Sequence, residues 1–365
     1  MDKTTQDKNI QLKKRLFGIT LLILFVISGL FLYIDYKTQL RSFKNDIKTV
    51  KISSFFRFKG KATAMQMNKT KEVLFLSTSD GLWILSLIEE KDLEVLSVLK
   101  SKDKAFSKIS TILLSADERR LYLQGKSKIV VVDISNIKEP HILSFMDIGV
   151  SEVQSINMSI DKKKIYICAD ATLFVLDIQN RDRLKFNKES LTGFYKEFFE
   201  VKKGVFYAVD TNYNLDILTN DGGEMRLLGS YSLIDIPKNF IFSEGKRRLY
   251  FLNEKGIEIL NIEDVTDPKP FGSFKLFHLI SHLAELSHNG NYLYLPQQKG
   301  YLDIFDVHYT DSIKKIARID YGNKALQAVS CLLSKDSKYL YILFKNTHIG
   351  IVKLVQKGGS GIYER

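Results

Sequence analysis

The chain has 365 residues, 45% of them hydrophobic, 12% aromatic and 26% charged, which excludes a mainly disordered protein. Its 5 prolines and 21 glycines exclude collagen-like and low-complexity sequence, and 2 cysteines cannot build a disulfide scaffold or a four-cysteine zinc site. The net charge is +12, yet half of that excess sits in residues 1–51, where ten Lys and Arg face four Asp and Glu. A nucleic-acid-binding protein more often carries its charge on the folded domain, so no nucleic-acid partner is expected.

The first predicted element is Leu16 to Ile34, 19 residues without a charge. As a helix it would be ~28 Å long, close to the ~30 Å hydrocarbon core of a bilayer. It is apolar on every side, unlike the amphipathic helix of a globular core. It is longer than the apolar part of a secretory signal peptide, and no alanine occurs before Ala62 to make a cleavage site. The segment 16–34 therefore reads as an uncleaved signal-anchor. The cluster Lys13-Lys14-Arg15 abuts it, which keeps residues 1–15 in the cytoplasm as a short tail. The expected protein crosses the inner (cytoplasmic) membrane once, with everything beyond residue 34 periplasmic. The linker 35–49 is lysine-rich, lacks proline and glycine, and reads as a helical stalk.

From residue 50 to 355 the sequence repeats. An apolar-aromatic-apolar triplet recurs at Phe75, Tyr122, Tyr166, Tyr207, Tyr250, Tyr294 and Tyr341, spaced by 47, 44, 41, 43, 44 and 47 residues. Seven positions before the aromatics stand Asn68, Ser115, Ser159, Glu200, Ser243, Ser287 and Ser334, each followed by a polar turn. A second apolar run follows each aromatic, as in IVVVDI (129–134) and IEILNI (257–262). Short runs rich in Ile, Val, Leu, Phe and Tyr, bounded by Gly, Asn, Asp and Ser, are strands. Their near-continuous apolarity implies burial on both faces. Four antiparallel strands per repeat make the blade of a β-propeller, so the fold class is all-β: a seven-bladed β-propeller over 50–355, behind one transmembrane helix. The last repeat stops after its third strand, and the orphan run VKISSFFRF (50–58) is expected to supply the fourth and close the ring. Residues 356–365 read as a flexible C-terminal tail.

The segments IVVVDISNIKEPHILSF (129–145) and IEILNIEDVTDPKPFGSF (257–274) resemble the LVIVD repeat: an apolar run, an Asp or Asn, and downstream Pro140 or Pro268 and Pro270. The resemblance implies an extracytoplasmic prokaryotic propeller and carries over no catalytic residue. The Gly-His and Trp-Asp pairs of WD40 repeats are absent.

Few residues offer chemistry. Asp133, Asp177, Asn261 and Asp306 close the third strands and are read as turn caps. His278 and His282 stand four apart with Glu285 behind them, a candidate ligand-binding group at the mouth of the central channel; no metal or cofactor is assigned to it. Asp170, Asp210, Asn212, Asn253 and Glu254 belong to loops on the same face. Cys168 and Cys331 fall in distant repeats and read as buried apolar residues. The turns between first and second strands hold 14 Lys/Arg against 6 Asp/Glu; those between third and fourth hold 5 against 11. The resulting face is nearly balanced, which argues against long-range steering of nucleic acid. The expected role is a protein-interaction scaffold in a cell-envelope assembly, binding envelope proteins through its loop faces. The alternative is a propeller enzyme or ligand-binding protein, of the metal-dependent hydrolase or lactonase-like kind, with its site at the channel mouth.

Overall fold

The computed structural model describes residues 48–354 except 69–72, 89–91, 101–105, 107–108, 170–171, 180–183, 192, 222–223, 236, 238, 276–282, 298–299 and 309–312. The expected tail 1–15, anchor 16–34, most of the linker, the C-terminal tail, Asp170, His278 and His282 lie outside the described residues. All described residues but Lys48 belong to one compact unit, Thr49–Arg365. Among the described residues no helix is long and apolar enough to cross a membrane.

The described chain is built of strands. β1 (Lys48–Lys51) precedes a long β2 (Ser54–Asn68), β3 (Val73–Thr78), β4 (Gly81–Ile88) and β5 (Asp92–Leu99). Antiparallel four-stranded meanders follow. The first is β6 (Thr111–Leu114), β7 (Arg120–Gln124), β8 (Lys128–Asp133) and β9 (His141–Asp147). The next is β10 (Ser155–Met158), β11 (Lys164–Ala169), β12 (Thr172–Asp177) and β13 (Lys185–Ser190). Then come β14 (Tyr195–Lys202), β15 (Val205–Asp210), β16 (Asn214–Asp221) and β17 (Glu224–Ser232), and β18 (Asn239–Ser243), β19 (Arg248–Leu252), β20 (Gly256–Asn261) and β21 (Lys269–Lys275). β22 (Glu285–Leu286), β23 (Tyr292–Pro296), β24 (Tyr301–Asp306) and β25 (Lys314–Asp320) form a further meander, with β1 beside β25. β26 (Ala328–Leu333), β27 (Tyr339–Phe344) and β28 (Asn346–Lys353) end the described chain.

Sequence pattern sets the order of strands within a meander. Second and third strands are the apolar runs and are buried on both faces, as in β7 and β8. Fourth strands are more exposed, and β9 shows every second side chain to water, the period of a half-buried edge. First strands meet each other: β2 packs against β6 and β26, β10 against β6 and β14, and β22 against β26. They therefore line the centre.

The expected closure is present, with shifted bounds. The first half of β2 pairs with β28, Ser54 opposite Ile351 and Phe56 opposite Ile349. Its second half pairs with β3, Ala62 opposite Thr78 and Asn68 opposite Val73. One strand thus serves two meanders, and β26-β27-β28-β2-β3-β4-β5 form a continuous seven-stranded sheet. The change of partner falls between Lys61 and Ala62, just after an irregularity that contains Gly60, whose φ of +87° is in the region that favours glycine. The closing strand starts at Ser54, later than the run 50–58 implies. Val50 and Lys51 instead lie in β1, and Ile52 and Ser53 separate the two strands. The described end of the linker, Lys48–Thr49, is strand rather than the expected helix.

The repeated aromatic has a structural cause. Tyr122 packs with Ile156, Ile165 and Ile167 of the following meander, and Tyr207 with Leu249 and Phe251 of its own successor. Tyr341 packs against Met65, Leu74 and Leu76 across the closure. Each ring sits mid-strand and fills the wedge to the next sheet. Burial of an aromatic of this size is worth about 3–5 kcal/mol against alanine.

Candidate functional site

The repeated serine is a turn anchor. Ser159 Oγ donates to Asp161 Oδ1 at 2.7 Å and accepts the amides of Lys163 and Lys164 at 3.1 and 2.9 Å. That hydrogen bond from Ser159 holds the Asp161 carboxyl below its usual range. Ser115, Ser287 and Ser334 do the same with Asp117, Asn289 and Asp336. The aspartates closing the third strands are also turn chemistry: Asp133, Asp177 and Asp306 accept the amides of Ser135, Gln179 and His308. Asn261 likewise accepts the amide of Glu263. Cys168 and Cys331 are buried and unbridged, and donate to the carbonyls of Tyr195 and Tyr294.

Of the trio His278, His282 and Glu285, only Glu285 is described. It lies half-buried on the innermost strand β22, opposite Tyr294. Asn253 and Asp210 are occupied in their own turns: Asn253 Oδ1 accepts the amides of Lys255 and Gly256, and Asp210 Oδ1 those of Asn212 and Asn214. Among the described residues no group of three or more His, Cys, Asp or Glu is placed to hold a metal ion.

The structure singles out another place, one end of the β14–β17 meander. Its three connections there expose Phe194 by 67%, Tyr213 by 42% and Ile234 by 53%. Large apolar side chains on three adjacent connections are the unusual observation; a lone exposed leucine is not. The backbone beneath them is held by carboxylates. Asp210 clamps the turn bearing Tyr213, which itself stands at φ +67°. Leu233 N–H donates to the Tyr213 carbonyl at 2.7 Å, joining that turn to the connection bearing Ile234. Glu258, 4% exposed on the next meander, accepts the Ile234 amide at 3.0 Å and the Tyr231 hydroxyl at 3.1 Å. Burial, with Glu258 alongside, pushes the Tyr231 phenol up to about 12. Tyr195, next to Phe194, donates its hydroxyl to Asp216 at 2.8 Å.

A cavity of about 290 Å³ opens at this same end, lined by Glu152, Val153, Gln154, Lys196, Glu197, Val209 and Pro237. Glu197 is half-buried, and its carboxyl lies deep enough that burial pushes its pKa to about 8. The side chains of Ser155 and Asn157 on β10 pull the other way without cancelling this. Sequence reasoning missed Glu197, although a signal was there. Two residues before the partner of each repeated aromatic stand Ala64, Thr111, Ser155, Glu197, Asn239, Leu283 and Ser330, and only one of these is charged. The fourth repeat hid it. Phe199, not Glu200, faces Tyr207, and the turn is one residue shorter than in the other repeats. Glu200 takes over the anchor there, accepting the Gly204 amide at 3.0 Å and the Ile160 amide of the neighbouring turn at 3.0 Å.

No protein-family model matches the sequence, and no curated protein matches it. Solved structures do. The Myceliophteria thermophila Cps50 (Swd1) β-propeller domain aligns with a TM-score of 0.68 at 14% identity, over 83% of this chain and 98% of that one. The C-terminal WD40 domain of Sif2 aligns with a TM-score of 0.62 at 10% identity, over 84% and 99%. The likeness is of backbone, since the sequence has no Gly-His or Trp-Asp pair. The chain carries a β-propeller fold similar to that of WD40 propellers.

Proposed function

We propose that the protein is a seven-bladed propeller, anchored in the cytoplasmic membrane by residues 16–34, that acts outside the cytoplasm as a protein-interaction scaffold. The observation carrying the scaffold reading is the trio Phe194, Tyr213 and Ile234, exposed at one end of the meander, where Asp210 and the buried Glu258 hold the backbone at Tyr213 and Ile234. A partner that covers them gains apolar burial without first having to order the loops. The count of seven rests on the β2 closure, which makes two four-stranded meanders of the seven-stranded sheet and adds them to the others. The WD40 neighbours support an interaction role by analogy of fold. The LVIVD-like segments and the uncharged run support an envelope location.

Replacing Phe194 and Ile234 together by serine is expected to lower the yield of a crosslinked, co-purified partner at least tenfold, with the thermal midpoint unchanged. An unchanged yield would show that the working surface is elsewhere. The location has its own test. Cys168 and Cys331 are 0% and 2% exposed, so a cysteine placed at exposed Lys138 is the reactive reporter. A membrane-impermeant maleimide is expected to label Lys138→Cys without breaching the cytoplasmic membrane. Labelling only after lysis would contradict the extracytoplasmic placement.

A further inference from the structure

The apolar trio and the Glu197 cavity share their supports. Phe194 and Lys196 are on one connection and strand start, Tyr213 and Val209 flank one turn, and Ile234 and Pro237 are on one connection. A cavity of about 290 Å³ lies at the small end of ligand pockets, so it suits one side chain better than a larger molecule. Its charged lining is Glu152 from the segment before β10, and Lys196 and Glu197 from β14. Among the described residues, no Lys or Arg acts on the Glu197 carboxyl; burial, Ser155 and Asn157 do. A half-buried carboxyl open to a cavity, on which no described Lys or Arg acts, is the complement of a cationic group.

We propose that this cavity receives the arginine or lysine side chain of a protein partner, whose neighbouring apolar residues lie on Phe194, Tyr213 and Ile234. The inference rests on the scaffold reading and names the chemistry of the partner. A guanidinium stays charged at any working pH. Its binding therefore draws Glu197 into the ionised form, releases a proton and lowers the apparent pKa of that carboxyl.

The test uses the full chain in nonionic detergent and two defined probes, n-butylguanidinium and acetyl-Leu-Arg-Leu-amide, followed by titration calorimetry. With the Glu197 pKa at about 8, the ionised fraction rises about tenfold between pH 7 and pH 9. Butylguanidinium is expected to bind about tenfold more tightly at pH 9. Glu197→Gln should weaken binding at least tenfold at pH 9 and remove the pH dependence. The peptide should bind at least fivefold more tightly than butylguanidinium, and Ile234→Ser should erase that gain. Absence of binding, or equal binding by Glu197→Gln, overturns the proposal. Equal affinity of peptide and butylguanidinium overturns its partner half, leaving a site for a small free cation. None of these failures affects crosslinking through Phe194 and Ile234, so the scaffold reading stands or falls separately.

Discussion

A chain ending at Lys345, and so lacking β28, is expected to show no cooperative thermal transition. β28 is bonded on both sides, Ile351 facing Tyr341 of β27 on one and Ser54 of β2 on the other. It also carries Ile349, Ile351 and Val352, at most 3% exposed, and Leu354 follows at 2%. Removing four buried aliphatic side chains costs about 1.5–3 kcal/mol each. Their sum is comparable to the roughly 5–15 kcal/mol of net stability typical of a folded domain. The truncation also bares the edges of β27 and β2, which invites pairing between chains. A graded version is Ile349→Asp, which puts a charge at a 0% exposed position and is expected to cost about 4 kcal/mol or more. Calorimetry of the shortened chain decides the matter: a transition of undiminished enthalpy would mean that the ring does not depend on this seal.

The second large effect is a gain. Glu197→Gln is expected to stabilise the protein at pH 8 and to leave it unchanged at pH 4. The folded-state pKa is raised from 4.5 to about 8, with burial as the main cause. Below pH 4.5 the carboxyl is neutral in both folded and unfolded chains and costs nothing. Between 4.5 and 8 the unfolded chain has released a proton that the folded chain retains, so stability falls as pH rises through this window. At ~1.4 kcal/mol per pKa unit the full penalty is no more than about 5 kcal/mol, and the side chain's residual exposure reduces it. Glutamine keeps the shape without the charge. Stability plotted against pH should therefore diverge between pH 4.5 and about 8, with the variant above, and keep a constant gap beyond. Parallel curves would show that Glu197 ionises without penalty.

The regular parts of this molecule were legible because a repeat writes the same physics several times. One tyrosine mid-strand says little; Tyr122, Tyr166, Tyr207, Tyr250, Tyr294 and Tyr341 at near-constant spacing identify the residue that fills each wedge between sheets. The serine anchor and the aspartate caps were readable for the same reason, since local hydrogen bonds need only local sequence. The closing strand was legible as an orphan, but its start was not: β1 and β2 are separated by Ile52 and Ser53, and both sides of that break are lysine-containing strands. The candidate site was illegible where it departs from the repeat. A turn shortened by one residue displaced Glu200 from the serine position and moved Glu197 out of register with its equivalents. Phe194, Tyr213 and Ile234 are separated in sequence and are brought to one end of a sheet only by the meander. The trio His278, His282 and Glu285 rests on sequence spacing, and only Glu285 is described, on an innermost strand.

Engagement of partners at the Phe194, Tyr213 and Ile234 end is the claim on which the scaffold reading depends. The most direct measurement places a photo-crosslinking residue, one at a time, at these three positions and at exposed Leu143 and Phe145 on the outer strand β9. Crosslinking is then carried out in living cells and the products are identified by mass spectrometry. The three loop positions are expected to crosslink the same protein, and Leu143 and Phe145 are not. Crosslinks concentrated at Leu143 and Phe145, or absent from all three loop positions, would contradict that engagement.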